Sequence, residues 1–215
     1  MNTSHAHLGL VEGPASPGPS GGADVVILGG GLAGLTLAIQ LKQRDPSVQV
    51  TVLERRTHPA REAAFKVGES TVEIGAYYFA DVLGLREHLD SEQIRKFGFR
   101  FFFSEGRNDI DRCTELGVST LLPTPSWQLD RGRFENFLGE EARRLGVDFR
   151  DGAVVRNFNL VSDGSLHSVE FEHGGERQTL QARWVVDASG RAGLIKRKRK
   201  LAQANDHDVL SLIHI

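Results

Sequence analysis

Residues 23–54 read ADVVILGGGLAGLTLAIQLKQRDPSVQVTVLE, and this stretch decides the fold. Ala23–Leu28 is a short β-branched apolar run, the pattern of a parallel strand buried on both faces. Gly29-Gly30-Gly31-Leu32-Ala33-Gly34 follows directly and opens a helix. Leu35, Leu37, Ala38, Ile39 and Leu41 make that helix apolar nearly all round, so it is expected between packed layers. Val48–Leu53 reads as the second strand and ends on Glu54. The unit is a βαβ crossover of roughly 30 residues.

A G-x-G-x-x-G alone is weak. Here it follows a strand, opens a helix and precedes, by about 20 residues, an acid at a strand end. Gly29 permits the tight turn, Gly31 lets a pyrophosphate approach the backbone, and Gly34 lets helix and strand close up. The first-turn N–H groups around Leu32 and Ala33, with the positive end of the helix dipole, then face phosphate. Glu54 suits both hydroxyls of an adenosine ribose and would repel a 2′-phosphate. The competing reading is a glycine turn in a nucleotide-free sheet.

Outward from this unit, the first 22 residues are rich in Pro, Gly and Ser and read as a disordered extension rather than a signal peptide. The last six, Leu210–Ile215 (LSLIHI), resemble the translation of a transposase-end adapter used to build sequencing libraries. The expectation is a reading frame cut near Val209, with 210–215 a non-native tail. With 26 basic against 28 acidic residues and a net charge of −2, no global basic field recruits nucleic acid. No apolar run is long enough to span a bilayer. The single cysteine, Cys113, has no neighbours at metal-ligand spacing, reads as a packed or surface thiol, and suits a reducing cytoplasm.

Downstream, Val72, Ala76, Phe79 and Leu83 recur at helical spacing, and Arg133–Leu145 reads as a second amphipathic helix with Glu140 and Arg144 paired on its wet face. Strands are expected near Ala153–Leu160, Leu166–Glu172 and Arg177–Ala182, separated by Asp163-Gly164 and Gly174-Gly175 turns. This meander feeds a last apolar strand, Trp184–Val186, ending at Asp187-Ala188-Ser189-Gly190. Phe99, Phe101, Phe102 and Phe103 read as a strand of aromatic core on the substrate side. The basic run 196–200 (KRKRK) reads as a solvated face rather than a nucleic-acid patch.

The segments GGGLAGLTLAIQL…VLER, KVGEST, QLDRGRFENFL and VVDASGRAGLIKRK, in this order over Ala23 to about Lys200, resemble the para-hydroxybenzoate-hydroxylase-type FAD superfamily. Within it they are most similar to flavin-dependent halogenases and halogenase-like oxidoreductases. The resemblance implies an α/β fold: a Rossmann-like FAD-binding sheet with a β-meander crossover, occupying 23–209, with the start of a substrate-side sheet inserted at about 90–130. It implies FAD as cofactor, bound by Gly29, Gly31, Gly34 and Glu54 with Arg55 beside the adenosine. Arg131, with Gln128 as neighbour, is implied at the flavin phosphate or ring, a surface charge being the alternative. Gly68-Glu69-Ser70 resembles the strap near the ring, although Ser70 with Glu73 also reads as a helix N-cap. Asp187 and Gly190 belong to the second fingerprint, with a plain strand-end turn as its alternative.

The activity implied is that of an FAD-dependent monooxygenase or halogenase-like enzyme working through a flavin C4a-hydroperoxide. A geranylgeranyl-reductase-type enzyme and an inactive, truncated FAD-binding fragment are the alternatives. Implied partners are a small-molecule substrate, O2, and either a separate flavin reductase or NAD(P)H. In halogenases a lysine captures hypohalous acid, and the K-x-G pattern in 94–101 (IRKFGFRF) places Lys96 near that position, where Arg95 and Arg100 would favour a free amine. A solvated lysine at a strand start is the other reading.

Overall fold

A computed structural model describes residues 22–203 except Ala64, Phe65, Val67 and Leu122. The N-terminal extension up to residue 21 and the tail at 210–215 lie outside the described residues. Strand β1 (Ala23–Leu28) leads through the glycines into α1 (Leu32–Arg44) and on to β2 (Val50–Glu54). Along β1 the side chains alternate between two cores. Val25 and Ile27 face α1, while Val26 and Leu28 face the opposite side, the two-sided burial expected of a parallel strand.

After β2 the chain forms α2 (Glu73–Tyr77), a π-helical turn over Tyr78–Val82, and α3 (Arg86–Glu92). Ala76, Phe79 and Leu83 are buried as expected, but Val72 is exposed. Ser70 is not the N-cap: the helix starts two residues later, after Val72, because Ser70 is paired with Gln128 in an isolated β-bridge. Four short strands follow, β3 (Ile94–Arg95), β4 (Arg100–Phe103), β5 (Thr114–Gly117) and β6 (Trp127–Gln128). β3 pairs with β6 and β4 with β5. The phenylalanines do occupy a strand, but they are not core in this chain: Phe99, Phe101, Phe102 and Phe103 are all exposed.

Helix α4 spans Arg131–Arg144, two residues earlier than its apolar pattern suggests, because Asp130 caps it by accepting the N–H groups of Gly132 and Arg133. Its wet-face pairs are i,i+3, Arg143–Glu140 and Arg144–Glu141, rather than Glu140–Arg144. Next comes β7 (Asp148–Asp151), which adds a parallel strand beside β2. The sequence reading missed β7, since its DFRD pattern has a single apolar residue.

The meander is β8 (Val154–Asn159), β9 (His167–His173) and β10 (Glu176–Asp187). The two strands expected at Arg177–Ala182 and Trp184–Val186 are one continuous strand. Its first half pairs antiparallel with β9, and its second half runs parallel to β1. The sheet order is β7-β2-β1-β10-β9-β8. One core holds α1, α4 and the α2–α3 region against the sheet; Phe158, Val169 and Phe171 of the meander build the other with Val26, Leu28 and Leu53. The basic run falls in and just beyond α5 (Leu194–Lys198), whose Lys198 ammonium donates to Asn157 Oδ1.

Candidate cofactor-binding site

A groove of about 320 Å³ opens where the chain leaves β1 and enters α1. Gly29 adopts φ 116°, and a Cβ there would sit 2.4 Å from the Ala188 carbonyl oxygen. A Cβ on Gly34 would lie 1.9 Å from the Gly29 oxygen. Both glycines are therefore demanded by backbone packing. Gly31 differs: its φ is −83°, and a Cβ would meet only Glu135 Oε1, 3.9 Å away. The missing side chain at Gly31 keeps open the space in front of α1.

No side-chain hydrogen bond caps α1, and its first turn contains no acid. Its free N–H groups and positive dipole end are left for an anion. At the end of β2, Glu54 Oε2 accepts the Gly30 N–H at 2.8 Å and Oε1 accepts the Arg56 N–H at 2.8 Å. Two backbone bonds fix this carboxylate, and each oxygen keeps acceptor capacity for a hydroxyl. Gly30 was not singled out in the sequence, yet a Cβ there would strike Glu54 and Phe149 at 2.7 Å. Burial holds the His58 imidazole in the groove wall below its usual range, which favours its neutral form.

The wall beyond β10 is Ala188–Gly190. Asp187 shapes it: Oδ1 accepts the Ser189 hydroxyl and N–H, and Oδ2 accepts the N–H groups of Ile195 and Lys196. Burial alone would raise this carboxyl, but the Ser189 hydroxyl and the three N–H donors hold it below the usual carboxylate range.

On the opposite side, the Arg131 guanidinium donates through Nε to Glu135 Oε1 at 3.0 Å, and the Lys66 ammonium lies 2.5 Å from Glu135 Oε2. Glu135 is only 5% exposed. Neither Lys66 nor Glu135 was picked out from the sequence, although the Arg131–Glu135 spacing is that of an i,i+4 helix pair.

Of the residues expected at the cofactor, Gly29, Gly31, Leu32, Ala33, Glu54, Arg55, Arg131 and Gly190 line this one groove. Gly34 packs beneath it. Glu69 and Gln128 instead line a neighbouring cavity of about 340 Å³, together with Gln93 and Arg133. The strap is fastened to α4, since Glu69 Oε1 accepts the N–H groups of Lys66 at 3.3 Å and Arg131 at 3.4 Å. Lys96 follows β3, away from the groove lining. Its ammonium donates to the Thr71 carbonyl at 2.8 Å and lies 5.1 Å from the centre of the Phe99 ring. Arg100, expected to crowd it, pairs with Glu115 at 2.9 Å. Among the described residues no helix is long and apolar enough to cross a membrane.

The chain matches the FAD binding domain family over residues 22–213. It is 31% identical over 189 residues to a flavin-dependent halogenase of Dictyostelium discoideum, covering 78% of this chain and 31% of that protein. It is 26% identical to the aklavinone 12-hydroxylase of Streptomyces peucetius, covering 80% of this chain and 36% of that protein. Among solved structures, the myxobacterial chondrochloren halogenase CndH aligns with a TM-score of 0.63 at 27% identity, over 79% of this chain and 38% of that one. The chain spans about a third of the length of these relatives. A family match running from the first strand past α5 joins a groove that opens in front of the uncapped start of α1, and the chain accordingly belongs to the FAD binding domain family, with FAD as its cofactor.

Proposed function

We propose that the chain is the FAD-holding part of a flavin-dependent enzyme of the halogenase or monooxygenase kind, and that the groove at the start of α1 takes the ADP half. The observation that carries this reading is Gly31, whose absent side chain serves an incoming group rather than the fold. Glu54 takes the ribose hydroxyls, and the α1 N-terminus with Arg131 takes the diphosphate. The adenine has an apolar cleft beyond Glu54, lined by Leu28, Leu53, Val155 and Leu194. When bound, the flavin supplies the redox chemistry with O2, and the protein orients it and excludes water.

Residues 23–209 form the FAD-binding domain, and the ribbons at about 90–130 begin the substrate-side sheet. Glu69, Ser70, Gln128, Asp187 and Gly190 frame the rest of the cofactor. The substrate is a small molecule, and electrons come from a separate flavin reductase or NAD(P)H. The single cysteine supports a cytoplasmic setting. Both halogenase and hydroxylase relatives support the activity class, and Lys96 is the candidate reactive amine of the halogenase branch. Halide incorporation by the whole enzyme that disappears in Lys96→Ala, with FAD retained, supports that branch. Oxygen incorporation without halide marks the monooxygenase branch.

The cofactor reading is tested by titrating FAD into the chain and following flavin fluorescence. Gly31→Val is expected to fold and lose FAD binding, because its side chain points into open groove. Glu54→Ala should weaken binding without abolishing it. FAD binding unchanged in Gly31→Val defeats the reading.

A further inference from the structure

The start of α4 carries Arg131 to the groove, and side-chain acceptors on three residues hold its backbone. Asp130 accepts the N–H groups of Gly132 and Arg133, Glu69 accepts the Arg131 N–H at 3.4 Å, and Gln93 Oε1 accepts the Asp130 N–H at 2.8 Å. Asp130 and Glu69 are carboxylates, which only accept. Gln93 is a buried amide with a donor end as well, and that end meets His88 Nε2 at 3.1 Å. The His88 ring, on α3, stacks on Phe137 of α4 with centroids 3.8 Å apart and planes at 11°. A backbone N–H can only donate, so Asp130 fixes the Gln93 oxygen on its own side and turns the NH2 group to His88. His88 Nε2 must then accept, as only a neutral imidazole with its proton on Nδ1 can do. An imidazolium would set Nε2–H against the Gln93 NH2. Flipping the amide would give His88 an acceptor but turn the NH2 onto the Asp130 N–H. Either way two donors face each other, and one hydrogen bond at the start of α4 is lost.

We propose that Gln93 is a positioning residue for the cofactor groove, and that it holds the start of α4 in place only while His88 is neutral. This rests on the reading of the groove as the cofactor site, with Arg131 in contact with the cofactor. Two charged groups face the His88 ring: Glu92 on its own helix, which favours the imidazolium, and Arg133 on α4, which opposes it. They pair with each other at 3.1 Å, so their pulls on the ring largely offset. Desolvation is the leading cause that holds His88 below its usual range, in the same direction as the hydrogen-bond polarity. The phenyl faces of Phe134 and Phe137 accept a neutral or a charged ring, so the amide decides. Cofactor affinity is therefore level while His88 is neutral and falls as the pH drops through the His88 pKa.

The experiment follows flavin fluorescence as FAD is titrated into the 215-residue chain between about pH 8 and about pH 5, for the wild type, His88→Gln, Gln93→Glu and Gln93→Leu. One pH unit below the His88 pKa only about a tenth of the chain keeps the neutral ring, so wild-type affinity should be about tenfold weaker there. His88→Gln offers a carbonyl acceptor that does not titrate and should lose this acid limb. Any limb left in that variant belongs to other groups, such as His58 in the groove wall. The Gln93→Glu carboxylate can accept from the Asp130 N–H and from an imidazolium together, so its limb should reverse, with affinity falling as the pH rises. Gln93→Leu leaves the Asp130 N–H unmet and should weaken FAD about tenfold at the alkaline end, with thermal unfolding of the same samples checking the fold. Ring 15N spectra of the free chain, with the His88 signals identified by their loss in His88→Gln, should show the Nδ1–H tautomer. An Nε2–H tautomer, an acid limb unchanged in His88→Gln, or unchanged affinity in Gln93→Leu overturns the proposal while the groove reading stands. A wild-type chain that binds no FAD at any pH overturns the groove reading, and the proposal with it.

Discussion

Glu135 and Glu115 each pair with an arginine, in two regions that treat the same chemistry differently. Glu135 has a side chain 7% exposed and lies at the groove, between the Arg131 and Lys66 cations. Glu115 sits on the β4–β5 ribbon, where it and Arg100 are 45% and 44% exposed. In the groove that Glu135 lines, Gly29 and Gly34 pack against backbone and the apolar side chains beneath are buried. Around Glu115, four phenylalanines face outward. The groove is over-determined by its own residues. The ribbon is held by backbone pairing and a few cation–ring contacts, Arg100 over Phe97 and Lys96 over Phe99.

Mutations should separate the two regions, and the largest effect is expected at Gly34. Gly34→Ala forces a methyl to 1.9 Å from the Gly29 oxygen, and should cost on the order of 4 kcal/mol or abolish the cooperative unfolding transition in urea. Gly106→Ala, in the loop between β4 and β5 with open space around it, has only its positive φ to resist and should cost about 1 kcal/mol. Equal losses at the two sites would erase the distinction.

The paired acids come next. Glu135→Ala removes the carboxylate to which both the Arg131 and Lys66 cations are bonded in a mostly buried place and should destabilise by about 3 kcal/mol. Glu115→Ala breaks an exposed pair and should cost about 0.5 kcal/mol or less. Denaturant midpoints for the two variants, compared at equal m-value, measure the difference directly.

Smaller still is the Asp130 cap, where replacement by Ala should cost about 1 kcal/mol. Burial would raise the Asp130 carboxyl, but the N–H groups of Ala63, Arg133 and Gly132, together with the Arg133 charge, hold it below the usual range. Asp187 is held low in the same net direction. A carboxyl lowered in the folded state contributes its stability above its unfolded pKa of about 3.9, and that stability is lost as pH falls through the folded value. Wild-type stability should therefore decline below about pH 4, and an Asp130→Asn, Asp187→Asn double variant should show a shallower acid limb. An unchanged acid limb would remove these carboxylates from the account. The smallest effect is expected on the ribbon surface, where Phe101→Ser and Phe103→Ser should each stay within about 0.5 kcal/mol of wild type. A large loss there would mean the ribbon has a core that this chain conceals.

The groove was legible in sequence because its requirements are local. The glycine spacing and the acid at the end of β2 are written within 32 residues, 23–54, and each follows from backbone sterics or charge. β7 was not legible, because DFRD becomes a strand only when Val52 and Leu53 offer it an edge. The fusion of two expected strands into β10 was hidden by Arg183, which read as a break but keeps an extended backbone between two partners. Lys66 stayed silent because its partner is on another element 69 positions away. The ribbon phenylalanines misled for the opposite reason: an aromatic run favours a strand and says nothing about which face, if any, is covered.

The course of β10 also sets an order in time. One rim of the groove is Gly29–Gly34 and the other is Ala188–Gly190, about 150 residues later in the chain. At a synthesis rate of 5–20 residues per second, the first rim waits roughly ten seconds or more for the second. Throughout that interval the edge of β1 that will receive β10 has no partner of its own, so a strand buried on both faces stands long without one of its neighbours. The nascent protein consequently has a window in which it is most vulnerable to misassociation, and the window closes only when the last wall of the cofactor groove leaves the ribosome.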